Sequence, residues 1–158
     1  MPLIRTALSE PSLQEIAQNG DPAENEFAMT MLYDALGGEQ KLRRFTRRFY
    51  ELMDSLPEAR ACRAIHPADL GPAEEKLFEY LSGWFGGPPL FTDKYGPPML
   101  RARHLPAPIG EEEAEGWLRC FRTAWGETIG RPEIAAIVFP RVSALAYHMI
   151  NRAPGERA

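Results

Sequence analysis

Residues 86–100 constrain the fold of this chain more than any other segment. They contain three glycines and four prolines, which interrupt regular helices and strands. They also contain Leu90, Phe91, Tyr95 and Met99, so the segment is too apolar for a solvated linker. Unstructured connections of more than about 12–15 residues are uncommon in compact domains unless they are functional or disordered. We therefore expect this segment to wrap either around a bulky ligand or against an adjoining helix.

The length and composition predict one globular domain. The chain has 158 residues, of which 44% are apolar and 25% are charged, and this balance excludes a wholly disordered chain. The net charge of −4 argues against a nucleic-acid partner. Arginine nevertheless clusters at residues 41–48, which we interpret as a solvated helix face, and at residues 101–103.

Cysteine usage and hydropathy limit the compartment and the chemistry. Cys62 and Cys120 form no CxxC motif, which excludes a zinc-finger framework, and we expect two buried free thiols. No stretch approaches the roughly 20 apolar residues that cross a bilayer, and residues 1–5 lack an apolar signal core. The expectation is a cytoplasmic protein with no membrane partner.

Apolar residues recur at three- and four-residue intervals and predict an all-α fold. The clearest helix covers residues 39–56, where Leu42, Phe45 and Phe49 fall on one face. No segment shows the alternation of apolar and polar residues that is typical of a β-strand. Further helices are expected at residues 31–36, 58–65, 71–85 and 111–130, and from Pro132 to about residue 149. Pro140 should kink or break the last of these helices.

A phenylalanine–tyrosine pair in the long helix, a lone histidine after the irregular segment and a tryptophan in the next helix resemble the truncated haemoglobins, group II. The matching fragments are residues 33–38, 48–50, 66–67, 73–77, 86–88, 100–104 and 117–120. The resemblance implies a globin-like two-over-two helical sandwich. It divides the chain into an N-terminal extension at 1–30, partly helical or disordered, a truncated globin domain at 31–152 and a tail at 153–158.

The resemblance also implies a cofactor, haem b (iron protoporphyrin IX), with His104 as the proximal iron ligand. The chain has no CxxCH motif for covalent attachment. Lys76 and Arg101 are implied partners of the haem propionates. The other implied haem contacts are Ala73, Leu77, Phe91, Tyr95, Met99 and Ile109. Two positions depart from the family pattern, because Pro97 stands where histidine is frequent and Ala107 where a phenylalanine commonly follows the proximal histidine.

On the opposite side of the haem, the resemblance places Tyr50, His66 and Trp117 as hydrogen-bond donors to a bound ligand. If the protein is an enzyme, these three are its catalytic residues. Each also has a plainer interpretation without a cofactor. Tyr50 would then be a packing residue at the edge of the core, Trp117 a core residue and His66 a turn residue, whereas His104 would lie on a basic surface loop.

Three functions remain open at this stage. The first is reversible binding of O2, CO or NO, with slow release suited to sensing or to handling of reactive species. The second is a redox enzyme that uses peroxide, or that oxidises NO with O2, and depends on an external reductase because the chain has no flavin or nicotinamide motif. The third is a cofactor-free helical module that binds an acidic partner through residues 101–103.

Overall fold

The structure, a computed structural model, describes residues 28–153. The expected extension therefore lies outside the described residues over 1–27, as does the tail over 154–158, and the domain limits stay predictions. The helices are α1 (Leu32–Leu36), α2 (Gly38–Ser55), α3 (Arg60–Ala64), α4 (Gly71–Trp84), α5 (Leu90–Tyr95), α6 (Leu100–His104), α7 (Glu111–Thr128) and α8 (Pro132–His148). A 3₁₀ turn at Pro57–Ala59 leads into α3. Between residues 28 and 153 there is no strand, as the sequence predicted, and no helix has both the length and the apolarity needed to cross a bilayer.

Helix α2 packs against α4 and α7, and α7 packs against α8, so two pairs of helices form the sandwich. Aromatic side chains fill the space between the pairs. Phe45 meets Phe121 edge-on at 4.9 Å between ring centroids, and Trp125 stacks on Phe121 at 6.0 Å. All three side chains are almost fully buried. Each contributes about 1.5–3 kcal/mol or more to stability, so this cluster holds the two layers together.

The glycine- and proline-rich segment contains more regular structure than its composition predicted. Helix α5 forms within it and buries Phe91, because prolines are well tolerated just before and within a first helical turn. The Thr92 hydroxyl donates to the Pro89 carbonyl at that end, and Gly96 ends the helix at a φ of 80°. The segment therefore supplies a short apolar helix to the domain.

The end of α4 docks closely against α1 and the residues that precede it. The Tyr33 amide donates to the Phe85 carbonyl at 2.9 Å. Gly86 follows with a φ of 86°, and a Cβ added there would lie 1.6 Å from the Thr30 carbonyl oxygen. Only glycine combines this backbone conformation with so close an approach.

Replacing Gly86 by alanine should lower the free energy of unfolding by at least about 3 kcal/mol, because strain and a backbone clash add together. Gly126, in α7, is the matched control, since nothing lies within 4 Å of a Cβ added there. Gly126→Ala should raise stability by about 0.5–1 kcal/mol. Urea unfolding of both variants measures the difference in stability. Equal stability of the two would contradict the close packing of Gly86 against Thr30.

Helix α8 continues through Pro140, so the break that was one of the two expected outcomes does not occur, and the kink stays a prediction. Proline removes one backbone bond, here to the carbonyl of Ala136. Both residues are exposed, so water can satisfy that carbonyl. Val138 and Val142 on the opposite face are fully buried, and their packing holds the helix together across the missing bond.

Candidate functional site

The sandwich contains a partly open cavity of about 560 Å³, lined by α2, α3, α4, α7, α8 and the segment that carries α5 and α6. This volume lies within the range of roughly 300–1,000 Å³ that is usual for small-molecule and cofactor pockets. The cavity wall is mostly apolar. Of the residues predicted from the sequence, the wall includes Tyr50, His66, Ala73, Lys76, Leu77, Phe91, Tyr95, His104, Ile109 and Trp117.

His104 presents one ring nitrogen for coordination. It is the last residue of α6, and its Nδ1 lies 2.6 Å from the Leu100 carbonyl oxygen one turn earlier. Because a carbonyl can only accept, Nδ1 carries the proton in this pair, and Nε2 of the neutral ring keeps its lone pair. Orientation of an imidazole by a backbone carbonyl is the usual arrangement for a histidine that binds a metal.

Two residues predicted as haem contacts, Met99 and Arg101, do not line this cavity. Met99 does not line the cavity, and its side chain is 65% exposed. Arg101 also lies outside the cavity wall, because its Nη1 donates to the carbonyls of His148 and Ile150. Arg103 lines the cavity instead. The sequence showed a basic residue on each side of Ala102, but the orientation of a five-residue helix cannot be read from its own pattern.

Tyr50 has an unusual environment for a phenol. Its side chain is only 7% exposed, with the ring edge-on to Phe49 at 4.8 Å and 6.1 Å from the ring of His66. Within residues 28–153 its hydroxyl makes no hydrogen bond, although it lies on the cavity wall. Burial raises the pKa of this phenol above its ordinary value, so the group stays protonated and able to donate. Buried hydroxyls are rarely left without a partner, which points to a ligand in the cavity.

Trp117 supplies a second donor at the same wall. Its indole packs against Phe49 at 5.2 Å and stacks on Phe121 at 5.5 Å. The side chain is half-buried, and among the described residues its Nε1–H has no acceptor. Phe49 contacts both Tyr50 and Trp117, so one aromatic ring supports both donors.

His66 differs from the expectation that it donates. Its Nδ1 lies 2.8 Å from the Cys62 carbonyl oxygen and so carries the ring proton, which leaves Nε2 as an acceptor in the neutral form. Burial lowers the pKa of His66 below its ordinary value of 6.5, and this outweighs the opposing effect of the bond to Cys62. The neutral form therefore persists at neutral pH, with an acceptor on the cavity wall.

This shift makes stability depend on pH in a defined window. The folded protein binds a proton at His66 less tightly than the unfolded chain, so stability should fall as the pH drops below about 6.5 and stop falling below the folded pKa. His66→Asn should lose less stability than the parent between pH 7.5 and 5.5, as measured by urea unfolding. His148→Asn, at an exposed histidine, should follow the parent. Identical pH profiles for all three proteins would contradict the lowered pKa.

Other residues of the cavity wall were not singled out from the sequence. Helix α8 contributes Val142, Leu145 and Ala146, whose helical spacing was a usable signal that fits a core face equally well. Cys62 also lines the cavity, and burial raises the pKa of its thiol to about 12. Both Cys62 and Cys120 are buried free thiols, as predicted.

The residues present fit a haem. The apolar wall suits a porphyrin, Nε2 of His104 suits its iron, and the unpartnered Tyr50 hydroxyl suits a polar ligand at that iron. Lys76 is a basic side chain on the wall and suits a porphyrin carboxylate. Arg103 also lines the wall, but its guanidinium donates to the carbonyls of Pro98 and Tyr95.

Comparison with known proteins agrees with this geometry. The family model described as "Bacterial-like globin" matches residues 31–151. Group 2 truncated hemoglobin YjbI of Bacillus subtilis is 40% identical over 124 residues, which cover 78% of this chain and 91% of that protein.

Solved structures give the same result. The group II 2-on-2 haemoglobin of the plant pathogen Agrobacterium tumefaciens is 54% identical, with a TM-score of 0.76, over 78% of this chain and 95% of that one. A structure described as the truncated oxygen-avid haemoglobin from Bacillus subtilis is 40% identical, with a TM-score of 0.69, over 75% of this chain and 98% of that one. The chain belongs to the bacterial-like globins and, within them, to the group II truncated haemoglobins. Membership in this family implies binding of small gaseous ligands at a haem.

Proposed function

We propose that this protein binds O2 and other diatomic ligands reversibly at the iron of haem b, with His104 as the proximal ligand. Bound ferrous haem supplies the metal that takes up the gas. The observation that carries the proposal is the buried side chain of Tyr50, which lines the cavity and whose hydroxyl has no hydrogen-bond partner among residues 28–153. A cytoplasmic location, expected from the sequence, is part of this proposal.

The arrangement of polar groups supports slow release of the ligand. Tyr50 and Trp117 can both donate to an O2 molecule, and each hydrogen bond contributes about 1 kcal/mol, or more where water is excluded. Neutral His66 can accept from Tyr50 or from a water molecule beside it. Slow release suits a sensor or a protein that handles reactive species better than an oxygen carrier. The description of the Bacillus subtilis structure as oxygen-avid agrees with this proposal.

An absorption spectrum tests the proposal directly. Purified protein, or apo-protein titrated with hemin, should show a Soret band that shifts with CO after reduction and returns when CO is removed. Stopped-flow mixing of the reduced protein with O2 then gives the association and dissociation rates. A protein that stays colourless with added hemin would overturn the proposal.

Reduction of peroxide is a second candidate, and the free Nε2 of His66 favours it. A neutral imidazole nitrogen on the cavity wall can accept the first proton of a peroxide as a general base. Such turnover needs an external electron donor, which is an expected partner. Steady-state assays with peroxide and a reductant should then show a rate above that of free haem, and His66→Leu should lower it by about 100-fold or more.

The cofactor-free interaction module loses its basis. It required residues 101–103 to present free basic groups. Instead, Arg101 binds two carbonyls at the end of α8, and Arg103 binds the carbonyls of Pro98 and Tyr95.

A further inference from the structure

We propose that Arg101 and Asn151 are positioning residues for His104. They fasten the two sides of the segment that carries the iron ligand to the C-terminal end of α8, and so fix the direction in which the Nε2 atom points. The inference rests on the proposed function, because it concerns the geometry of the iron ligand.

Hydrophobic burial does not hold α6 in place. None of its five residues is buried, and residues 101–106 are all exposed. A helix of this length is unstable on its own, since isolated helices of fewer than about 12–15 residues are marginal in water. The bond from His104 to the Leu100 carbonyl sets the ring only relative to α6 itself. Leu100 is only half-buried on the cavity wall, so the position of α6 depends mainly on polar contacts to the rest of the domain.

Arg101 provides the contact before the ligand. Its Nη1 donates to the His148 carbonyl at 3.1 Å and to the Ile150 carbonyl at 2.9 Å. The last carbonyls of a helix have no partner within the helix and carry the negative end of its dipole. A guanidinium is well suited to this position, so the contact ties the start of α6 to the end of α8.

Asn151 provides the contact after the ligand. Its Nδ2 donates to the Ala107 carbonyl at 2.9 Å, and its Oδ1 accepts from the Ile109 amide at 3.0 Å. The Asn151 amide also donates to the Ile109 carbonyl at 2.8 Å, and the Arg152 amide donates to the same carbonyl at 3.0 Å. These hydrogen bonds hold the chain in place just after α6, the helix that carries His104.

The same contacts account for a departure from the family pattern. Ala107 stands where a phenylalanine commonly follows the proximal histidine, so a large packing side chain is missing on this side. Its carbonyl is instead held by Asn151. Hydrogen bonding to the backbone replaces side-chain packing as the means of fixing the segment.

Four variants of the haem-loaded full chain test the inference. Asn151→Leu removes the side-chain amide contacts to Ala107 and Ile109, and the longer one to the His104 carbonyl, at similar size. Asn151→Asp keeps the acceptor for the Ile109 amide but loses the donor to Ala107. Arg101→Met removes the guanidinium, and Arg44→Met is the control for charge, since Arg44 is an exposed residue of α2 outside the cavity wall. The measurements are the iron–histidine stretching frequency of the reduced protein by resonance Raman, and amide hydrogen exchange.

Asn151→Leu and Arg101→Met should shift and broaden the iron–histidine band, whereas Arg44→Met should match the parent. Exchange at the Ile109 amide should rise about tenfold in Asn151→Leu and less in Asn151→Asp, while α2 and α7 stay protected. An unchanged iron–histidine band in both Asn151→Leu and Arg101→Met, in proteins that bind haem, would overturn the positioning role. Failure of the parent to bind haem would overturn the proposed function instead, and the positioning role with it.

Discussion

His104→Gly should lower the affinity for haem by more than about 100-fold, the upper end of the loss caused by removing a residue that merely orients a metal ligand. The His104 imidazole lines the cavity, and its Nδ1 bonds to the Leu100 carbonyl, which leaves Nε2 for the iron. Glycine leaves a gap of imidazole size, so added imidazole should restore the five-coordinate ferrous spectrum. Titration of apo-protein with hemin, followed by Soret absorbance, measures both effects.

His148→Ala is the control for this experiment, because His148 is exposed and its side chain lies outside the cavity wall. It should bind haem as the parent does. Parent-like haem affinity of His104→Gly, with no response to imidazole, would show that another group holds the iron.

Tyr50→Phe should speed O2 dissociation at least tenfold, since about 1.4 kcal/mol of lost hydrogen bonding corresponds to a factor of ten. The phenylalanine ring keeps the contacts with Phe49 and His66 and removes only the hydroxyl. The same change should leave the stability of the apo-protein equal or slightly higher, because the hydroxyl is buried without a partner in the described part of the chain. Stopped-flow replacement of O2 by CO measures the O2 dissociation rate, and urea unfolding measures the stability of the apo-protein.

The opposite pattern would contradict this role for Tyr50. Loss of apo-protein stability with an unchanged O2 dissociation rate would make the hydroxyl a structural group. Tyr147→Phe is the matched control, since the exposed Tyr147 hydroxyl bonds to Glu115 away from the cavity. Its O2 kinetics should equal those of the parent.

The long helices were predictable because burial repeats along them. Leu42, Phe45 and Phe49 mark α2 by spacing alone, and the structure buries all three completely. Helix α5 was not predictable in this way, since its six residues are too few to show a period and lie between prolines and a glycine. The continuity of α8 through Pro140 depends on tertiary packing of Val138 and Val142, which local pattern does not contain.

Within the site, the sequence could name side chains but not their hydrogen bonds. His104 and Tyr50 were identified through the family resemblance, and both line the cavity. The acceptor state of His66 follows from the position of the Cys62 carbonyl, and no residue identity encodes a carbonyl position. The sequence also could not show that Arg103 lines the cavity and Arg101 does not. The face of α6 that carries Arg101 is fixed by its contacts with the end of α8, which are tertiary contacts.

The aromatic cluster of Phe45, Phe121 and Trp125 shares no side chain with the cavity wall. The contacts that join the two helical layers can therefore form without a porphyrin. Binding of the cofactor is then a late step that involves only the cavity.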